Sequence, residues 1–235
     1  MSLRAPLLLA AVLLLAPHAR AENGKPEQVL SLLLTTSHGA SELGGPEVLS
    51  ALARVKEAPD TFIPLLLQEL KESRLEEAAT DAEAARRMSS AAGLLAGRLG
   101  PKGRDALEPL LTEWQKARDE HQASLEAKRK EAPSKPSKEF IEELRKYERA
   151  IRLLARLERS VLRAMEGTGD ARFREVLLER LPSETALALV YVDHLVHVAP
   201  KDSKVEQALA ELMDKTESPA VARRIEYVLK HGKVP

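Results

Sequence analysis

Residues 143–165, ELRKYERAIRLLARLERSVLRAM, carry six arginines separated by four, three, four, three and four residues. Because an α-helix advances 100° per residue, this spacing keeps all six guanidinium groups within about 40° of one line along a helix. Apolar side chains fill the opposite arc, which predicts a strongly amphipathic helix with one buried face. We call the six residues the arginine strip: Arg145, Arg149, Arg152, Arg156, Arg159 and Arg163.

The arginine strip has two interpretations. It is either the solvated face of a helix whose arginines pair with acids on neighbouring helices, or a docking surface for an anionic partner. Within the helix, Glu148 is close enough in sequence to reach Arg145 and Arg152, whereas Arg156 and Arg159 have no acid three or four residues away. An acidic protein, phospholipid head groups and an envelope polymer are the candidate partners, and the sequence leaves both interpretations open.

The composition of the chain predicts an all-α fold. Charged residues make up 31% of the sequence and aromatic residues only 3%. Leucine and alanine, which are good helix formers, dominate, while the β-branched and aromatic residues that fill strands are sparse. Proline, glycine and aspartate separate the helical segments, and the proline- and lysine-rich run 131–138 is the clearest loop.

Four segments share an aspartate followed by two apolar anchors four residues apart. The aspartates, Asp60, Asp105, Asp170 and Asp202, are predicted to cap helices. Proline follows the first anchor by two residues in two segments, as Pro64 and Pro109, and is expected in the first helical turn. The anchor pairs are Phe62 and Leu66, Leu107 and Leu111, Phe173 and Leu177, and Val205 and Leu209.

This unit of two helices resembles a HEAT repeat, most visibly in PDTFIPLLLQELKES (59–73) and ESPAVARRIEYVLKHG (217–232). In the second stretch, Pro219, Val221, Arg223 and Ile225 match the proline, valine, arginine and apolar positions of a HEAT first helix. The resemblance covers about residues 45–235 and implies an irregular α-solenoid of stacked helix pairs. The uneven spacing of the aspartates predicts an inserted long helical hairpin at about 104–166, and a compact multi-helix bundle is the alternative.

The first 21 residues have the layout of a secretory signal peptide. A short basic start precedes an apolar run of about 13 residues, which is shorter than the roughly 20 needed to span a bilayer. Cleavage is expected after Ala21, leaving residues 22–235 as an exported (periplasmic or secreted) helical-repeat domain. The leader carries two arginines and no acid, so the 36 basic and 36 acidic residues of the chain become 34 and 36.

The resulting near-neutral charge argues against nucleic acid as a partner, since nucleic-acid binders usually carry a basic excess. The chain has no cysteine, and therefore no disulfide and no thiolate metal site. His194 and His197 are spaced for a shared metal ion, but no third ligand can be named, so neither a metal nor a cofactor is predicted. His194 also continues an apolar stripe and is predicted to be a partly buried helix histidine.

No catalytic motif is recognisable in the sequence. The function predicted is that of an exported, non-enzymatic scaffold or adaptor, which binds a partner protein through a helical-repeat surface. The alternative is a peripheral envelope protein that binds anionic lipid or polymer through the arginine strip.

Overall fold

The structure, a computed structural model, describes residues 24–35 and 45–235. This part of the chain is all-α, with eleven α-helices and two short 3₁₀ turns (Glu72–Arg74 and Leu181–Ser183), and it contains no strand. The helices are α1 (Pro26–Thr35), α2 (Pro46–Glu57), α3 (Pro59–Glu69), α4 (Leu75–Thr80), α5 (Ala82–Gly97), α6 (Gly100–Lys130), α7 (Lys138–Met165), α8 (Arg174–Arg180), α9 (Ala188–Val198), α10 (Ser203–Lys215) and α11 (Pro219–His231).

The chain divides into two compact units, one ending at Leu153 and the other running from Leu154 to Pro235. In the first unit, α5 is the central helix and packs against α1, α3, α4 and α6. Its buried face is rich in alanine, and small side chains allow helix axes to approach closely. In the second unit, α11 packs against α9 and α10, and α8 packs against α9.

The eight apolar anchors of the four aspartate segments are all buried. The shared spacing of four residues therefore identified the face that each segment turns towards its core. Trp114, which continues the same apolar phase in α6, is also buried.

The predicted aspartate caps are correct at one of the four positions. Asp202 caps α10 by accepting hydrogen bonds from the backbone N–H groups of Lys204 and Val205. Asp60 lies inside α3, Asp105 lies inside α6, and Asp170 precedes α8 by several residues. Carboxylates are favoured throughout the first turn by the helix dipole as well as at the cap, which accounts for the position of Asp60. An aspartate alone therefore does not fix where a helix begins.

The expected placement of the two repeat prolines in a first helical turn is wrong. Pro64 lies in the interior of α3 and Pro109 in the interior of α6. Both helices begin earlier than the aspartates suggested, at Pro59 and Gly100. Each interior proline therefore removes one backbone hydrogen bond from its helix.

The segment between α6 and α7 is irregular and fully exposed from residue 131 to residue 137, as its composition predicted. None of the helices in the described ranges is long and apolar enough to cross a membrane. The expected signal peptide, residues 1–21, lies outside the described residues.

Candidate interaction surface and the polar core beneath it

All six residues of the arginine strip lie on α7, as their spacing predicted. Five of the side chains are exposed, and Arg149 is half-buried. The apolar face opposite the strip is buried through its second half, where Leu154, Leu157 and Val161 are almost completely covered. The amphipathic pattern thus fixes which side of α7 faces solvent.

The two ends of the arginine strip are partly neutralised by acids. At the N-terminal end, Glu142 pairs with Arg149 at 2.9 Å and with Arg145 at 3.5 Å. At the C-terminal end, Arg163 lies close enough to Glu166 and Asp193 for its charge to act on both carboxylates. Neither end therefore offers a full set of uncompensated positive charges.

The middle of the strip differs from its ends. Arg152, Arg156 and Arg159 are exposed, and none of them forms an ion pair or hydrogen bond with any residue that the structure describes. The interpretation in which every arginine pairs with an acid on a neighbouring helix does not hold for these three. We call them the free arginines.

The hairpin formed by α6 and α7 is held together near its loop by charged pairs. Lys128 binds Glu143 at 3.2 Å, and Arg129 binds Glu148 at 2.8 Å. The hydrogen bond and charge of Glu143 raise the pKa of Lys128. Glu148, which sequence spacing placed within reach of Arg145 and Arg152, pairs instead with Arg129 on the preceding helix.

A buried carboxylate lies on the face of α7 opposite the free arginines. Glu158 of α7 is only 1% exposed, and it accepts a hydrogen bond from the hydroxyl of Tyr191, which is completely buried in α9. Burying a charged or polar group is costly unless it is hydrogen-bonded, so the side chain of Glu158 needs a polar partner. The bond from Tyr191 supplies one and connects two helices of the second unit. Glu158 was not among the residues predicted from the sequence, although an acid between Leu157 and Val161 on the apolar face of α7 was a visible signal.

His194 is the second polar group of this core. Its ring is completely buried, and Nδ1 lies 3.0 Å from the backbone carbonyl oxygen of Leu162. Because a carbonyl oxygen can only accept a hydrogen bond, Nδ1 carries the hydrogen and donates the bond. Nε2 is left without a partner among the described residues. Burial lowers the pKa of His194 and keeps the ring neutral.

The histidine pair is not arranged as a metal site. His197 is exposed and its Nδ1 lies 2.8 Å from the backbone oxygen of Asp193, whereas the ring of His194 points into the core. Within the described part of the chain, no three histidine or carboxylate side chains are grouped so that they could hold a metal ion.

Two half-buried carboxylates, Glu166 and Asp193, lie near His197. Burial raises the pKa of both groups, while the positive charge of Arg163 acts in the opposite direction on each. Asp193 is also bound by Arg224 of α11 at 2.8 Å. This cluster connects α9 to α11 and to the end of α7, all within the second unit.

A shallow depression between α9, α10 and α11 contains about 20 Å³ of free space. It is lined by apolar residues such as Val196, Leu209 and Val228, with Lys201 and Glu206 at its edge. Its volume accommodates a single water molecule and is far smaller than a typical ligand pocket. The arginine strip is therefore a stronger candidate for a functional surface than this depression.

In comparisons with known proteins, no family model, no curated protein and no solved structure matches the chain.

Proposed function

We propose that this chain is an exported, non-enzymatic scaffold that binds an acidic partner protein through the arginine strip of α7. The observation that carries the proposal is the exposure of Arg152, Arg156 and Arg159 without an acidic partner in the described part of the chain. Guanidinium groups bind carboxylates in a two-pronged geometry, and unpaired ones on a rigid helix are already positioned for such contacts.

The architecture that fits this role is an irregular HEAT-like solenoid, in which stacked helix pairs present an extended surface. Burial of all eight repeat anchors supports that arrangement, because each helix pair needs a neighbour to cover its apolar face. A compact helical bundle would bury the same anchors, and it would present the arginine strip equally well. Export is proposed from the layout of residues 1–21 alone.

A protein partner fits the surface better than a membrane does. Helices that lie on membranes insert an apolar face, but the apolar face of α7 is covered by protein from Leu153 onward. Electrostatic attraction to an anionic bilayer contributes only about 1 kcal/mol per basic residue. Without an inserted apolar face, such contributions would be the whole attachment of the strip to a bilayer.

The proposal is tested by crosslinking and affinity capture from the exported compartment, followed by identification and purification of the captured protein. Two variants with the same change in net charge are compared. The strip variant carries Arg152→Glu, Arg156→Glu and Arg159→Glu. The control variant carries Lys56→Glu, Lys71→Glu and Arg86→Glu, at exposed positions of the first unit. Circular dichroism first establishes that both variants keep the wild-type helicity.

We expect the purified partner to bind the wild-type chain and the control variant alike, with an affinity that falls as salt rises, and to lose its affinity for the strip variant. Equal capture by the strip variant would show that the arginines are only a solvated helix face. Salt-sensitive attachment to anionic vesicles in the absence of any protein partner would instead support the peripheral envelope function.

A further inference from the structure

The free arginines have a definite spacing along α7. An α-helix rises 1.5 Å per residue, so Arg156 lies about 6 Å from Arg152 along the axis, and Arg159 lies about 4.5 Å farther on. The three charges therefore cover about 10.5 Å on one face of a single helix. The acids beside Arg149 and Arg163 partly compensate the positive charge on either side of this interval.

The spacing of the free arginines distinguishes between partner conformations. Glutamates on one face of a second α-helix, at intervals of four and three residues, repeat the same steps of about 6 and 4.5 Å. Alternate residues on one face of an extended strand are about 6.7 Å apart, so three of them cover about 13 Å. The steps and the total length of a helix therefore match those of the free arginines more closely than the steps and length of a strand do.

The exposed face of α7 itself offers little apolar area. Among the described residues of α7, Ile141 is the one large hydrophobic side chain that is exposed, and it lies near the opposite end of the helix. Charge pairing must therefore supply the specificity at this surface, which favours a partner with matching charges over one with an apolar anchor.

We propose that the arginine strip binds an acidic α-helix of its partner protein, with glutamate or aspartate side chains at intervals of four and three residues along one face. This inference rests on the proposed function and adds the conformation and charge spacing of the partner segment. The free arginines would each meet one carboxylate, with the two helices packed side by side.

The inference is tested with two synthetic peptides of roughly 20 residues, which is long enough for a helix to form in an alanine-rich background. Both peptides have the same composition and net charge. In the striped peptide the glutamates lie on one face at intervals of four and three residues, and in the distributed peptide they are spread around the helix. Circular dichroism establishes equal helicity, and fluorescence anisotropy at low salt measures binding to the full chain.

We expect the striped peptide to bind the wild-type chain about tenfold more tightly than the distributed peptide, since three aligned ion pairs replace scattered ones. That preference should disappear in the strip variant and persist in the control variant. Equal affinities for the two peptides would overturn the inference, because net charge alone would then explain binding. Retention on vesicles of anionic phospholipid, without any preference between the peptides, would also overturn it and assign the strip to a lipid surface.

The two proposals fail in different ways. If the peptides bind equally while the captured natural partner is still lost by the strip variant, only the helical partner segment is excluded. If the natural partner binds the strip variant as well as it binds the wild-type chain, the proposed function itself fails.

Discussion

At the scale of single residues, the least expected feature is the buried pair of Glu158 and Tyr191 in the second unit. A carboxylate in an apolar core persists only when its oxygens are hydrogen-bonded, and the phenol of Tyr191 supplies one such bond. The pair therefore fixes the rotation of α7 against α9 through a polar contact, in addition to the apolar contacts around it.

Removing the phenol hydroxyl should destabilise the fold. Tyr191→Phe keeps the ring but takes one hydrogen bond from Glu158, so we expect the free energy of unfolding to fall by about 1–3 kcal/mol. Urea denaturation with an unchanged m-value measures this loss. Tyr227→Phe is the matched control, because the Tyr227 ring is half-buried against His231 and its hydroxyl forms no hydrogen bond with a described residue. Equal stabilities of the two variants would contradict a structural role for the pair.

His194 should make stability depend on pH. Burial lowers its pKa in the folded chain below the ordinary value of 6.5, so the unfolded chain takes up the proton first as the pH falls. The contribution of the neutral ring to the free energy of unfolding is fully present above pH 6.5, and it is lost as the pH falls from there through the folded-state pKa of His194. The raised pKa values of Glu166 and Asp193 act in the opposite sense, adding stability as the pH falls through their folded-state values.

We therefore expect His194→Asn to flatten the decline in stability just below pH 6.5. Asparagine retains a side-chain N–H near the position of Nδ1, so a hydrogen bond to the Leu162 carbonyl remains available. The measurement is the free energy of unfolding at closely spaced pH values from 7.5 to about 5.5, where one group contributes at most about 1.4 kcal/mol per pH unit. A variant that follows the wild-type slope would show that the ring is not held neutral.

Sequence reasoning reached some of these residues and missed others for a physical reason. The exposure of the free arginines and the burial of His194 follow from helical spacing, which is a local property of the chain. Glu158 broke the apolar pattern of α7 visibly, but its partner lies 33 residues away on another helix. Which polar side chain meets another across a core depends on how helices pack, and local spacing does not contain that information.

At the scale of helices, Gly103 shows how closely two elements approach. A β-carbon at this position of α6 would lie 2.4 Å from the backbone oxygen of Leu95 and 2.6 Å from the β-carbon of Leu99. These neighbours belong to α5 and to the turn that follows it, and a backbone oxygen cannot move aside as a flexible side chain can. The absence of a side chain is therefore what allows α6 to begin so close to α5.

Gly103→Ala should destabilise the chain by about 1–3 kcal/mol, since the added methyl group forces α5 and α6 apart. The change would stabilise an isolated helix, because alanine has the higher helix propensity, so the sign of the effect separates tertiary packing from propensity. Thermal or urea denaturation measures the difference. Gly167→Ala is the matched control, because no atom lies within 4 Å of a β-carbon there. Stabilisation by Gly103→Ala would contradict the close approach.

The ends of the helices were harder to predict than their faces. The four aspartate segments identified the buried face of their helices, yet only Asp202 is a cap. Helix α6 begins at Gly100, whose positive φ of 64° marks a turn that an L-residue side chain would strain. A glycine followed by a proline is a recognisable turn signal, so the start of α6 at Gly100 could have been predicted from the sequence. Once α6 begins there, Pro109 necessarily lies in its interior.

At the scale of the whole molecule, charge is balanced overall and uneven locally. The chain carries as many basic as acidic residues, so long-range attraction to a polyanion such as nucleic acid receives little support from net charge. The free arginines form a local positive surface in this neutral background. Their interactions should therefore be short-ranged and easily screened, which is why salt dependence is the most direct signature of their use.

The loop between α6 and α7 gives the last prediction. Residues 131–137 are exposed and irregular, whereas the backbone on either side is helical, so limited proteolysis within residues 45–235 should begin in this loop. Trypsin should first cut after Lys130, because the proline that follows Lys135 blocks cleavage there. Pro136→Ala should open the Lys135 site and accelerate cleavage of the loop. Mass spectrometry of early fragments distinguishes these sites, and first cuts after the arginines of α7 would show instead that this helix opens before the loop is reached.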